Sequence, residues 1–284
     1  MNPLVSPTST FDVQSMGFPE KLQTRYWEID GTPLSEYSWP LVKVNGIEPE
    51  IWLYLTSPVD FWRADSLVKE HYTLAWMREH MKPGDVFYDV GSNIGVMSMA
   101  AQVAVGGLEI HAFEPVYMNL GQMTRNLVLN RLNDNIHGWP FALWDEVGVQ
   151  TIALNGAFPG TSLQTFETNG PGYHERVVTQ RLDGLWELGI PFPNHIKIDV
   201  DGVEGKIMDG ATFLLDNSAL RTVQIEINHI LHDEEVEGAD RIYQMFEDFG
   251  FKLERKSPHG SWCGVAMGDL GVMTDIYDCL FVRS

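Results

Sequence analysis

Hydrophobic and polar positions follow two rhythms along the chain, and the change comes near residue 83. Residues 1–20 are rich in Ser, Thr and Pro and carry no period, which predicts a loose tail. Between Arg25 and Thr56 apolar and polar positions alternate, as in Leu41-Val42-Lys43-Val44 and Ile51-Trp52-Leu53-Tyr54-Leu55. With Asn45-Gly46 between them, these runs predict short strands and a hairpin closed by a two-residue turn. Over 66–81 the period turns helical, with Leu74, Met77 and Met81 on one stripe, and Pro83-Gly84 stops it.

After that stop, strand and helix signals alternate. Strands are predicted at 86–90, 108–113, 141–144, 196–200, 223–227, 251–254 and 279–282. Helices are predicted at 94–105, 117–132, 203–215 and 239–249, the last with Ile242, Met245, Phe246 and Phe249 on one stripe and Gly250 as its stop. Two further strands, 149–154 and 177–182, surround a Gly- and Pro-containing loop. This alternation argues for an α/β fold, a doubly wound and mostly parallel sheet covered on both faces. The chain divides into the tail at 1–20, a β-rich subdomain at 21–65 and the main domain at 66–284.

Composition narrows the partners. Hydrophobic residues make up 44% of the 284, enough for a real core. No apolar run approaches the ~18–20 residues of a membrane span, and the amino terminus lacks the basic-then-apolar order of a signal peptide. Cys263 and Cys279 form neither a disulfide framework nor a zinc pattern, and read as reduced thiols of a cytoplasmic protein. Acidic side chains outnumber basic ones 39 to 19, a net charge of −20, and the basic residues are scattered. Nucleic acid and anionic membrane surfaces are therefore not expected as partners.

Chemistry concentrates in Asp85-Val86-Phe87-Tyr88-Asp89-Val90-Gly91-Ser92-Asn93-Ile94-Gly95, a strand that ends in glycines and opens a helix. A dinucleotide site wants Gly-x-Gly-x-x-Gly so that a helix amino terminus can receive a pyrophosphate. Here the spacing is Gly-x-x-x-Gly, and an acid, Asp89, stands two residues before Gly91. That acid would repel a pyrophosphate but suits a cationic cofactor such as S-adenosylmethionine, with its sulfonium and ammonium. Glu114 closes the second strand, where a carboxylate can accept two hydrogen bonds from a ribose diol. Read singly, both acids could be solvated strand ends; their order around a glycine turn favours a nucleoside site.

The same segment resembles the class I S-adenosylmethionine-dependent methyltransferases, and among them the FkbM family. The resemblance rests on Lys82-Pro83-Gly84-Asp85 through Gly95, Phe113-Glu114-Pro115, Ala142-Leu143-Trp144-Asp145, and Lys197-Ile198-Asp199-Val200-Asp201-Gly202-Val203-Glu204. Gly160-Thr161-Ser162-Leu163 and Gln180-Arg181-Leu182-Asp183 also fit. It implies a Rossmann-like sheet of seven strands whose last strand runs antiparallel. It places Asp89, Gly91, Asn93 and Gly95 by the methionine part of the cofactor, Glu70 by its amino group, and Glu114 with Pro115 by the ribose. An acid common near Phe141 in such enzymes is missing, which leaves the adenine to packing at Ala142, to backbone groups or to Asp145.

Methyl transfer to a hydroxyl needs alignment and removal of a proton. Candidate bases at carboxyl ends of strands are Asp199, Glu226 and His229. A divalent metal is possible on Asp199, Asp201 and Glu226, though no spacing demands one. The resemblance implies O-methylation of a sugar, glycan or small polar metabolite. The aromatic side chains at Tyr26, Trp27, Tyr37, Trp39, Trp52, Tyr54, Phe61 and Trp62 suit either stacking on a sugar or a small core. Two rivals stay open: an NAD-dependent oxidoreductase, and a non-catalytic domain that binds a metabolite or partner.

Overall fold

Short hydrophobic strands that must be covered on both faces dictate a layered α/β molecule, and helices on either side of one sheet supply that cover. The computed structural model describes residues 28–29, 32–33, 40–154, 159–161, 173–200, 202–228, 236–258 and 276–284. The expected tail, Asp201, His229 and Cys263 lie outside the described residues, as do Tyr26, Trp27, Tyr37 and Trp39.

Two short antiparallel pairs come first, β1 (Glu28–Ile29) with β2 (Thr32–Pro33) and β3 (Leu41–Lys43) with β4 (Trp52–Tyr54). The second is the expected hairpin, but its connection is longer than a two-residue turn: the last bond is Val44 N–H to the Ile51 carbonyl, with residues 45–50 between them. Helices α1 (Pro58–Arg63), α2 (Ser66–Lys69) and α3 (His71–His80) follow. Then come β5 (Val86–Val90), α4 (Val96–Val105), β6 (Glu109–Phe113), α5 (Tyr117–Asn130) and β7 (Ile136–Trp139). Strands β8 (Phe141–Leu143), β9 (Gly148–Leu154) and β10 (Tyr173–Gln180) form a separate three-stranded sheet, and a 3-10 helix (Leu182–Leu188) leads back. The chain closes with β11 (His195–Ile198), α6 (Glu204–Asp209), α7 (Thr212–Asp216), β12 (Thr222–Asn228), α8 (Val236–Asp248), β13 (Phe251–Pro258) and β14 (Ile276–Arg283).

The main sheet has the order β13-β14-β12-β11-β5-β6-β7. The neighbours from β7 through β12 pair in parallel, and β14 runs antiparallel to both β12 and β13. After β7 the chain returns to the other side of β5. That reversal opens a crevice at the carboxyl ends of β5 and β11, where ligands of such sheets bind. One face packs Phe87, Ile110 and Ile136 against α3, α4 and α5. The other packs Tyr88, Ile196, Val223 and Ile225 against α6, α7 and α8.

The hairpin shares the first of these cores through Val42, Val44, Ile51 and Leu53, each fully buried side chain contributing about 1.5–3 kcal/mol. Side-chain amides of α5 satisfy the edge of β4: Asn126 and Asn130 accept the Tyr54 and Trp52 N–H groups, and Gln122 donates to the Tyr54 carbonyl. Trp52 is thereby buried, whereas Trp62 stays exposed.

Four expectations change. The edge strand beyond β6 is β7, with Phe141–Leu143 in the side sheet. Pro140 separates the two, and with no N–H it cannot continue the ladder. The helix expected over 66–81 breaks at Glu70, whose backbone leaves the helical region. The helix expected over 203–215 breaks at Gly210, where the Trp144 carbonyl occupies the space a Cβ would need. The 177–182 strand begins earlier, at Tyr173, and gives way to the 3-10 helix at Leu182.

Candidate functional site

Asp89 and Val90 end β5, and the chain then turns through Gly91, Ser92, Asn93, Ile94 and Gly95 into α4. Gly91 has a φ of +82°, and a Cβ there would collide with the backbone carbonyl of Asp199. Only glycine lets the loop after β11 lie this close. All five amides of the turn donate within the protein. Gly91 and Ser92 donate to the Phe113 carbonyl, Asn93 to Glu114 Oε2 at 2.8 Å, Ile94 to the Asn93 side chain and Gly95 to the Ser92 carbonyl.

Asp89 is buried beneath the turn, where its carboxylate accepts the Ser98 hydroxyl at 2.5 Å and also the Ser98 backbone N–H. An anion is thus already seated at the first turn of α4, where the helix dipole favours one. Burial pushes the Asp89 carboxyl up, and the Lys197 ammonium opposes that shift.

Glu114 closes β6. Its two oxygens accept the N–H groups of Asn93 and Val116, with the Asn119 amide at 3.4 Å. Each oxygen keeps acceptor capacity beyond these bonds. Pro115 is half-buried beside it. Pro159, Gly160 and Thr161 wall this region: Ser57 donates to the Pro159 carbonyl, Arg63 to that of Gly160 and Asn93 to that of Thr161, while Asn119 accepts the Gly160 N–H.

Burial pushes the Glu114 carboxyl up to about 7, and does the same to Glu204. Glu204 folds back to accept the Val200 and Gly202 N–H groups, bracing the loop that carries Asp199. A carboxyl raised in the folded chain binds its proton more tightly there. Its contribution is complete below the ordinary value of 4.5 and is lost as pH rises through about 7. Glu204→Gln stays neutral throughout, so it is expected to recover up to ~3 kcal/mol of stability at pH ~8 relative to pH ~5. Thermal unfolding of both proteins at the two pH values checks this, and parallel pH dependences would refute it.

The break at Glu70 turns that side chain toward β11. Lys197 Nζ lies 3.9 Å from Glu70 Oε2 and 2.5 Å from Asp199 Oδ2. Asp199 follows β11, its side chain partly exposed beside the glycine turn. Glu226 is buried on β12 opposite Asp278 of β14, and Asp278 accepts the Tyr72 hydroxyl at 2.5 Å.

Glu70, Asp89 and Asp199 thus converge on Lys197, and Glu114 meets Asn93 across the turn from them. Ala142 instead packs in a small cluster with Val116, Ile152, Leu154 and Val177, and Asp145 pairs with Lys206 of α6. Among the described residues, the one group of three His, Cys, Asp or Glu side chains close enough to share an ion is Glu79, His80 and Glu254; Asp199 and Glu226 enter no such group. Sequence reasoning missed Lys197, Asn119 and Arg63. The signal for Lys197 was a charge set between two isoleucines in a strand covered on both faces.

A family model for the methyltransferase FkbM domain matches residues 89–253, more than half of the chain. The chain belongs to this family. The FkbM match begins at Asp89, spans Gly91, Glu114, Asp199 and Glu226, and leaves Glu70 and the hairpin outside. The chain is 26% identical to the 31-O-demethyl-FK506 methyltransferase FkbM of Streptomyces tacrolimicus, covering 61% of this chain and 77% of that one. It is 25% identical to the hexuronic acid methyltransferase AglP of Haloferax volcanii, over 58% of this chain and 66% of that one. The methyltransferase FkbM of Methylobacillus flagellatus KT, known from a crystal structure, matches with a TM-score of 0.47 and 18% identity over 72% of this chain and 44% of its own. No helix among the described residues is long and apolar enough to cross a membrane.

Proposed function

We propose that this FkbM methyltransferase uses S-adenosylmethionine to methylate a hydroxyl of a sugar, glycan or other small polar metabolite. One observation carries the cofactor: the turn keeps no amide for an anion, since Gly91 through Gly95 all donate inside the protein. A nicotinamide dinucleotide would bring its pyrophosphate to those amides and to an α4 terminus that Asp89 already fills. A cationic cofactor meets carboxylates instead. The cradle fits a nucleoside as well, because Glu114 sits buried at the end of β6 with acceptor capacity to spare.

When bound, S-adenosylmethionine supplies a methyl carbon activated by its sulfonium. The chain's part is to bind, align and take a proton. Glu114 would accept the ribose hydroxyls, with Pro115 alongside. Asp89, Glu70 and the turn at Gly91, Asn93 and Gly95 would set the negative field of the methionine end. Ala142 and Asp145 remain proposed for the adenine side. Asp199, partly exposed at the crevice, would hold the acceptor hydroxyl and remove its proton, ahead of the more deeply buried Glu226. The acceptor class draws on the relatives, one named for hexuronic acid and one for a 31-O-demethyl compound. The surplus of 20 negative charges supports a small acceptor over a nucleic acid.

The test is transfer of labelled methyl from S-adenosylmethionine to hydroxylated sugars, hexuronic acids included. Wild type is expected to label an acceptor. Asp199→Asn is expected to lose on the order of 100-fold in kcat while keeping cofactor affinity. Equal loss of both would make Asp199 a binding residue.

A further inference from the structure

Lys197 is the only lysine or arginine buried among the described residues, at 2% exposure. It stands in the middle of β11, on the sheet face beneath α3. There it neighbours Asp89 of β5 and Gln224 of β12 in register. Burying an ammonium is costly unless it is paired, and this one is paired several times over. Burial alone would favour the neutral amine, yet Asp199, Glu70, Asp89 and Asp278 together hold Lys197 well above the ordinary lysine value.

The charged neighbours come from every side. Asp89 ends β5, Asp199 follows β11, Glu70 stands at the break between α2 and α3, and Asp278 lies on β14 with Glu226 opposite it on β12. The Tyr72 hydroxyl of α3 is neutral and donates to Asp278. A single cation therefore faces several carboxylates, and three of these, Glu70, Asp89 and Asp199, belong to the site.

We propose that Lys197 is a positioning residue for methyl transfer: its ammonium draws Glu70, Asp89 and Asp199 together from three elements and fixes the Asp199 carboxylate beside the Gly91 turn. The inference deepens the proposed function and rests on it for the word transfer; the charge arrangement stands without it. Arginine would keep the charge. Methionine would keep most of the volume but leave close carboxylates unscreened, and carboxylates sharing a site hold protons to higher pH.

The test uses Lys197→Met and Lys197→Arg in the full chain. Without ligand, Lys197→Met is expected to lose stability more steeply than wild type as pH rises from about 5 to about 8, because its folded form sheds protons late. The extra fall in Tm is on the order of 5 °C, and Lys197→Arg is expected to restore the wild-type slope. A purely structural role would lower Tm equally at both ends, and that result would overturn the proposal. If Lys197→Met alone does not fold, the double variant Lys197→Met with Asp199→Asn, which removes both charges, is expected to fold; failure of both would also overturn it.

With an acceptor in hand, kcat of Lys197→Met should fall as far as that of Asp199→Asn, and the double variant should lose no more than either. Independent, additive losses would contradict the coupling. If wild type binds no S-adenosylmethionine, the proposed function fails, while the pH slopes still decide the charge arrangement.

Discussion

Gly91→Ala is expected to be the most damaging single-methyl change in the protein. The new Cβ meets the carbonyl of Asp199, and this obstacle is backbone rather than the end of a flexible side chain. The left-handed φ of +82° adds strain of about 1–2 kcal/mol for any residue with a Cβ. Relief requires β5 and the loop after β11 to separate, which breaks the Asp199 N–H bond to the Val90 carbonyl. Overpacking of this kind costs roughly 1–3 kcal/mol or more, so a total of ~4 kcal/mol is a large share of a native stability of ~5–15 kcal/mol. Thermal unfolding should show a fall of ~10 °C or more, together with loss of cofactor binding. Gly121→Ala is the control: a Cβ there meets nothing within 4 Å on α5, and the change should be neutral or slightly stabilising. If the two variants melt alike, the loop does not cross the turn as described.

Glu114→Ala should weaken S-adenosylmethionine binding by more than tenfold, which is ~1.4 kcal/mol. Hydrogen bonds to a charged acceptor contribute about 1.5–3 kcal/mol each, and a ribose diol would make two. The substitution also frees the Asn93 and Val116 N–H groups, so the turn itself loosens. Stability should respond less than affinity, because removing a carboxyl that burial has pushed up to about 7 also removes a desolvation cost at neutral pH. Calorimetry and unfolding on the same preparation separate the two. Undiminished affinity would end the ribose assignment.

What could be read in the sequence depended on whether the cause was local. The strand, glycine turn and helix from Val86 to Val105 were legible because apolar runs, Gly91 and Gly95 all act within a few residues. The antiparallel seventh strand came from the family resemblance, and β14 bears it out. By contrast, β7 was invisible: His137 and Gly138 interrupt its pattern, and as an edge strand it is paired on one side only. The break at Gly210 arises from the Trp144 carbonyl, more than sixty residues away in the chain. No periodicity could supply that.

The site divides along the same line. Asp89, Asn93 and Glu114 surround one turn and were read from the motifs that contain it. The sequence set Asp89 near the methionine part of a cationic cofactor as an electrostatic partner, and the structure adds that its carboxylate accepts the Ser98 hydroxyl beneath the turn. Lys197 was quoted within a motif yet given no role, since a strand alone does not say that α3 will close over its polar face. Glu70 gains its direction only from the helix break before α3. Tertiary cover, not residue type, made these groups into a cluster.

The central claim is that carboxylates and self-satisfied amides make this crevice a site for a cationic nucleoside. Calorimetric titration of the full chain, first with S-adenosylmethionine and then with a nicotinamide dinucleotide, measures that claim most directly. The account predicts heat and a single site with the former and none with the latter. Heat from the dinucleotide alone would contradict it.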